Sequence, residues 1–438
     1  MGAILLALLV LMTVTLCVGI WIGPALIATG VVLLEAFTDR PTVRLIGTWA
    51  FNVLTSTDIV SLPLFILMGE LLFRTRLSQS LFSGIAPWMG FLPGRLLHTT
   101  VIGCSMFAAI SGSSAATTQV VGRITLTELL RRGYDKGIAV GSLGGAGTLG
   151  FLIPPSIPMI IYAVLAEESL LRLFTAGFIP GFALAGCFMA YIAIRAIMNP
   201  GVVPEEERRA SRWTWGDRAR SLVELGPVAF LIFTVLGTMY LGYASPSEAA
   251  AIGVVGALVV AAWQRTLTVP NLRDALLGSV QTTCMIGFIV LGAFVVGTVL
   301  ANLRVPQYVS GAISSWNLPP FALIAMLVVF YVLLGTVLEG FSMIVLTLPI
   351  VLPVVMAAGF DKVWFGIFLI LTIEMAQISP PVAFNLFVIQ GITGDSQTYV
   401  AWKVVPFFLI MIGFTAFITV FPGFVTFLPD ILPKLLGK

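Results

Sequence analysis

The stretch from Ser111 to Ser156 constrains this chain more than any other. It opens on a polar run, Ser111-Gly112-Ser113-Ser114-Ala115-Ala116-Thr117-Thr118. It closes on Gly144-Gly145-Ala146-Gly147-Thr148-Leu149-Gly150-Phe151-Leu152-Ile153-Pro154-Pro155-Ser156. Neither run reads as a regular spanning helix. Paired prolines remove backbone donors and clash with the preceding turn. Glycines add backbone freedom and little packing. Yet strongly apolar sequence flanks both runs. Irregular backbone at membrane depth survives only where protein buries it or where it lines a cavity. Broken helices of this kind form ion and substrate sites in transporters. Composition puts the chain in a bilayer: 58% of its 438 residues are hydrophobic and 10% are charged. A soluble domain carries about 25% charged residues.

Several chemistries lack their residues. No GxxxxGK run is present to bind nucleotide phosphates. Energy must then come from an ion gradient or from another chain. The formal charge of +3 gives no sign of a nucleic-acid partner, and none is expected. Cys17, Cys104, Cys187 and Cys284 are scattered through apolar segments without CxxC spacing, as small core residues would be. The lone histidine, His98, has no second His or Cys nearby and is a poor metal ligand. Residues 1–20 lack the basic start of a signal peptide and read as the first spanning helix.

Spanning helices need about 20 apolar residues. The candidates are 3–20, 22–37, 50–73, 137–166 (broken), 172–197, 221–242, 245–263, 276–303, 363–393 (broken) and 400–427. Two further stretches, 95–131 and 319–358, each carry a polar or glycine-bearing tip near the middle. They read as re-entrant helical hairpins. The alternative, a single kinked helix in each, would far overshoot the hydrocarbon. The polar stretch 199–220 reads as a cytoplasmic linker between two repeats, 1–198 and 221–438. The repeats align at an offset of 226 residues without a gap. Gly133-Tyr134-Asp135-Lys136 falls on Gly359-Phe360-Asp361-Lys362, and Pro154-Pro155 falls on Pro380-Pro381. Ser113, at the first hairpin tip, falls on Glu339 at the second. Arg74, Arg76, Arg95, Arg131, Arg132, Lys136, Arg195 and the linker arginines mark the cytoplasmic side. Counting crossings then puts the N-terminus outside. Each repeat contributes an odd number of crossings, so the second is inverted and its hairpin enters from the opposite face. The expected fold is an all-α polytopic membrane protein of inverted repeats, each with one hairpin and one discontinuous helix.

Hairpin tips and helix breaks leave backbone groups without intrahelical partners. Oxygen-rich tips suit a small hard cation. One ion site would combine Ser111, Ser113 and Ser114 with unwound carbonyls around Gly145, Thr148 and Ile153. Its repeat mate would combine Gly335, Thr336 and Glu339 with Ile378, Ser379 and Pro380. The positive ends of half-helices suit an anionic substrate, with Ser113, Ser156, Glu339 and Asn385 placed to touch it. An intramembrane carboxylate such as Glu339 is functional by default, the alternative being a structural hydrogen bond. Glu374 carries the same default and ranks lower.

SGSSAATT, GYDKG, GTLGFLIPPS and ISPPVAFNLFVI resemble the large membrane subunit of tripartite ATP-independent periplasmic (TRAP) transporters, over essentially the whole chain. The resemblance implies a sodium-coupled importer that works by an elevator movement. It implies two partners, a small four-helix membrane subunit on a separate chain and a periplasmic binding protein that delivers an organic anion. It also implies a bacterial or archaeal inner membrane. Sodium is then the coupling ion, and no nucleotide is needed. Three other readings stay open. They are a stand-alone sodium–carboxylate symporter of similar fold, a passive channel, and an intramembrane enzyme, against which the absence of a nucleophile–base pair or metal cluster speaks.

Overall fold

The computed structural model describes residues 1–38, 41–209, 213–315, 319–336, 338–380 and 383–435. All regular structure among them is helical. The first repeat runs through α1 (Gly2–Cys17), α2 (Ile22–Phe37), α3 (Thr42–Leu54), α4 (Thr57–Phe73) and α5 (Leu77–Met89). It continues through α6 (Leu97–Ser111), α7 (Ser114–Arg131), α8 (Lys136–Thr148), α9 (Ile157–Ala166) and α10 (Leu170–Met198). After α11 (Glu205–Arg209), the chain resumes with α12 (Trp215–Ile232), a π-helical turn at Phe233–Gly237, and α13 (Thr238–Tyr240). Then come α14 (Pro246–Trp263), α15 (Val269–Asn302), α16 (Val305–Ser314), α17 (Pro320–Leu334) and α18 (Gly340–Ala357). The chain closes with α19 (Lys362–Ala376), α20 (Phe384–Thr393), α21 (Gln397–Val420) and α22 (Gly423–Leu435).

Element ends recur at the offset read from the sequence. Adding 226 to Ser114 and Arg131 gives Gly340 and Ala357, so α7 and α18 correspond end for end. Local chemistry explains the GYDK and GFDK pair. Gly133 and Gly359 sit at φ +80° and +91°, in the left-handed region that glycine tolerates. Asp135 then caps α8 by accepting from Ile138 N at 2.8 Å. Asp361 caps α19 by accepting from Val363 N at 2.8 Å and Trp364 N at 3.0 Å. The lysines that follow reach across the repeats. Lys136 Nζ pairs with Asp395 at 2.7 Å, while Lys362 Nζ donates to Ala166 O at 2.9 Å. Each broken helix is thus tied at its start to the far end of the other.

Packing follows the same two-fold pattern. α9 lies on α18 as α20 lies on α7, α8 on α21 as α19 on α10, and α2 on α15 as α14 on α4. Every residue of α8 from Gly137 and of α19 from Val363 is buried. A helix apolar all round belongs in the middle of a large body. α8 reaches that position through its glycines. A side chain at Gly144 would strike Val404 of α21, and one at Gly147 would strike Thr118 of α7. Small residues let helix backbones approach closely in membranes.

The structure departs from the sequence reading at several points. Six described helices are long and apolar enough to cross a membrane, or seven with the bent α3–α4 pair counted as one. The remaining expected crossings are shorter helices or half-helices. The expected span 50–73 is α3 and α4, bent by 56°. The span expected to start at 276 begins at Val269, behind Thr268, which caps it through Asn271 N at 3.3 Å. The expected linker is partly helical. Thr214 and Asp217 form a capping box that starts α12 at Trp215. The linker is also pinned to the first hairpin's base, where Arg95 donates to Glu207 O and Arg132 pairs with Glu207 at 3.0 Å. Short helices α5 and α16 lie where none was read.

Candidate functional site

The first hairpin is α6 and α7. A side chain at Gly103 would touch Val121 of α7 at 3.4 Å, so the two arms run antiparallel about Gly112. Gly112 makes the reversal at φ +59°, ending α6 in the left-handed conformation. Ser113 then caps α7, accepting from Ala116 N at 3.4 Å. Ser111 Oγ lies 3.1 Å from Thr117 Oγ1, which donates to Ser113 O at 2.8 Å. This tip is seated on the first helix break, Leu149–Ser156. Ile157 N donates to Gly112 O at 3.3 Å. A side chain at Gly112 would come within 2.7 Å of Pro155 O, and one at Gly150 within 2.7 Å of Ser113 O. Only glycine allows this seam at both positions.

The second repeat completes this locus. Asn385, at the start of α20, is fully buried and donates from Nδ2 to Ser114 Oγ at 2.7 Å. Ser114 Oγ donates on to Gly147 O at 3.1 Å. One polar chain therefore links α20, α7 and α8. The break in the second helix folds back as well, with Asn385 N donating to Gln377 O at 3.1 Å.

Two expectations at the first locus need correction. Gly145 does not lie in unwound chain. α8 continues through Thr148, and Gly145 O accepts the Thr148 hydroxyl at 2.8 Å. The glycine run looked like a breaker because it lacks side chains. It is helical because α21 and α7 pack directly against its bare backbone. Unwinding starts at Leu149, where Ile153 N turns back to Leu149 O at 3.0 Å. Asn385 and Ser156 are both fully buried rather than open to a cavity. The Ser156 hydroxyl and Asn385 Oδ1 have no hydrogen-bond partner among the described residues.

The second hairpin is α17 and α18, clasped where Tyr331 Oη lies 2.8 Å from Thr347 Oγ1. That pair is symmetric about Glu339. Gly335 ends α17 against Ala376 of α19. Thr336 Oγ1 bonds its own helix at Leu333 O, 2.7 Å away. Ile378 and Ser379 turn back on Met375 and Ala376 at the end of α19. Pro380 is exposed, and Pro381 lies outside the described residues. Glu339 caps the start of α18 with no side-chain cap bond and has a different outlook. It is exposed and faces a cavity of about 860 Å³ between α2 and α15, beside Gln281 and Thr282. The two loci meet through Phe151 of the first break, whose ring centroid is 5.9 Å from that of Phe341 on α18.

Two hairpins seated on two broken helices in an apolar, all-helical chain define a polytopic membrane transporter rather than an enzyme. The chain belongs to the family described as "Tripartite ATP-independent periplasmic transporter, DctM component", whose model matches residues 8–424. It is 30% identical over 389 residues to the C4-dicarboxylate TRAP transporter large permease protein DctM of Pseudomonas aeruginosa, covering 89% of this chain and 90% of that one. It is 29% identical to the isethionate TRAP transporter permease protein DctMQ of Oleidesulfovibrio alaskensis, covering 85% of this chain and 58% of the longer relative. Its fold resembles the crystal structure of the Alcanivorax borkumensis YdaH transporter, with TM-score 0.63 at 14% identity, covering 88% of this chain and 90% of that one.

Proposed function

We propose that this chain is the large membrane subunit of a sodium-coupled importer for a small organic anion. The observation that carries the reading is the seam at the first locus. A hairpin tip of one repeat rests on a helix break, and Asn385 of the other repeat closes over it at 2.7 Å. Such a seam can bind an ion through tip and break oxygens, and ion binding can then fix whether the hairpin opens. Ser111, Ser113, Ser114, Thr148 and Ile153 supply the first ion site. Gly335, Thr336, Ile378, Ser379 and Pro380 supply the second. Ser113 and Glu339, the least enclosed of the tip residues, face the substrate. Ser156 and Asn385 hold the seam behind it.

Two relatives are named for organic anions, C4-dicarboxylates and isethionate, which supports a small acidic solute. A small four-helix membrane subunit and a periplasmic binding protein act with the chain. The DctMQ relative is long enough to carry an added subunit. The setting is a bacterial or archaeal inner membrane, with the N-terminus on the periplasmic side. The two hairpins and broken helices move together as an elevator against α2, α4, α14 and α15. The cross-repeat ties of Lys136 and Lys362 support one moving body.

The test is uptake into proteoliposomes that hold the chain and its small subunit, with binding protein outside, assayed against a panel of labelled organic anions. Uptake should require both the binding protein and an inward sodium gradient. Undiminished uptake with sodium absent on both sides would refute the coupling. Uptake independent of the binding protein would favour a stand-alone symporter.

A further inference from the structure

A second cavity, of about 610 Å³, lies among α5, α7 and α12, and no hairpin-tip residue lines it. Its lining holds three arginines, Arg123 and Arg132 of the first hairpin and Arg220 of α12, and three carboxylates, Glu128, Asp217 and Glu224. Two of the carboxylates are already engaged. Glu128 pairs with Arg131 and with Arg132, each at 2.7 Å. Asp217 accepts from Thr214 N at 2.9 Å and from the Thr214 hydroxyl at 2.7 Å. Arg132 is engaged too, by Glu128 and by Glu207 at 3.0 Å. Arg123 and Arg220 are exposed, and neither side chain makes an ion pair or hydrogen bond among the described residues. Arg123 stands about two turns inside the hairpin from its base at Arg131. An arginine within a membrane segment needs an anion or water to face. The surroundings favour a lipid over a solute. Leu222 and Val223 follow Arg220 on α12 and are 54% and 66% exposed. Trp213 lines the cavity, and the Arg218 guanidinium lies over the rings of Trp88 and Trp215 at 5.8 and 5.1 Å. Tryptophans gather at the level of lipid headgroups.

We propose that this cavity binds the phosphate headgroup of an anionic phospholipid, held by Arg123 and Arg220, with the acyl chains along the exposed apolar face of α12. The arginine fork matches phosphate oxygens in pairs. Basic pockets between spanning helices hold acidic headgroups. A soluble phosphate would meet the same arginines but would leave Leu222 and Val223 uncovered. A bound headgroup joins an arm of the first hairpin to the helix that follows the linker. The site does not depend on sodium coupling.

The experiment uses the purified full chain, stripped of lipid in a maltoside detergent. Thermal unfolding is followed during titration with dioctanoyl phosphatidylglycerol, with dioctanoyl phosphatidylcholine, or with inorganic phosphate. Phosphatidylglycerol should raise Tm and saturate, because a ligand that binds only the folded state stabilises it. The other two should leave Tm in place. No shift with phosphatidylglycerol overturns the proposal, as does an equal shift with phosphatidylcholine. An equal shift with inorganic phosphate makes the ligand a soluble one and overturns the lipid assignment. Arg123→Gln and Arg220→Gln should each raise the apparent dissociation constant for phosphatidylglycerol about fivefold, and the double variant about thirtyfold. Both side chains are exposed, so these replacements spare the fold. Arg273→Gln, at an exposed arginine outside the cavity lining, is the control and should change nothing. Unchanged binding in the double variant overturns the proposal, as does an equal loss in Arg273→Gln.

Discussion

The Asn385–Ser114 bond lends itself to a quantitative test. Asn385→Leu removes one interhelical hydrogen bond of 2.7 Å. It leaves no orphan donor on Ser114, whose hydroxyl still donates to Gly147 O at 3.1 Å. It also removes Asn385 Oδ1, a buried acceptor without a partner among the described residues. The loss should be small, about 0.6 kcal/mol and at most about 1.7, the range for interhelical bonds in membranes. Ser114→Ala should cost more. It leaves the whole Asn385 amide buried and unpaired, a penalty of about 1–3 kcal/mol. The double variant should cost less than the sum, with a coupling of about 0.6–1.7 kcal/mol. Reversible unfolding by titration with sodium dodecyl sulfate in mixed micelles measures all four corners of the cycle. Proteoliposome uptake by Asn385→Leu should slow while membrane insertion stays intact. Additivity within about 0.3 kcal/mol would show that the two side chains do not interact. A costlier Asn385→Leu than Ser114→Ala would contradict the assignment of the orphaned group.

Gly112→Ala should destabilise the fold by at least about 1–2 kcal/mol, the left-handed penalty, and abolish uptake. The added methyl would also meet Pro155 O at 2.7 Å. Gly186→Ala, with nothing within 4 Å, should be neutral in the same assays. Glu339→Gln should insert normally and slow uptake without changing its sodium dependence, since Glu339 faces the cavity beside Gln281 and Thr282; a lowered apparent sodium affinity would return Glu339 to the second ion site. Single cysteines at Arg131 and at its repeat mate Ala357, in a background lacking the four native cysteines, should label from opposite sides of the membrane. Labelling from one side would refute inversion of the repeats.

Features written within a few residues are legible in the sequence itself. The GYDK and GFDK runs are helix starts because a left-handed glycine and a capping aspartate act over three or four positions. Their recurrence at one offset exposed the repeat. The polar tip at Ser111–Thr118 and the proline pair at 154 and 155 likewise mark a reversal and a break, since Gly112 allows a left-handed turn and the prolines restrict their own backbones. Short helices such as α5 and α16 are too short to carry a spanning signal in the sequence. The glycine run at 144–147 reads as a break for a related reason. Glycine's helix penalty is local, whereas the close contact with Val404 and Thr118 that keeps it helical comes from elsewhere in the chain.

The partners of the site residues were out of reach of such reasoning. Asn385 and Ser114 are 271 positions apart. Glu339 turns toward α2 and α15 instead of toward Ile378 and Ser379. Spacing along a helix says which side chains share a face, but not which face of which distant helix lies opposite. That choice is made when the two repeats pack against each other. The polar tips and the helix breaks are legible in the chain, and which of their residues come together is decided by the packing.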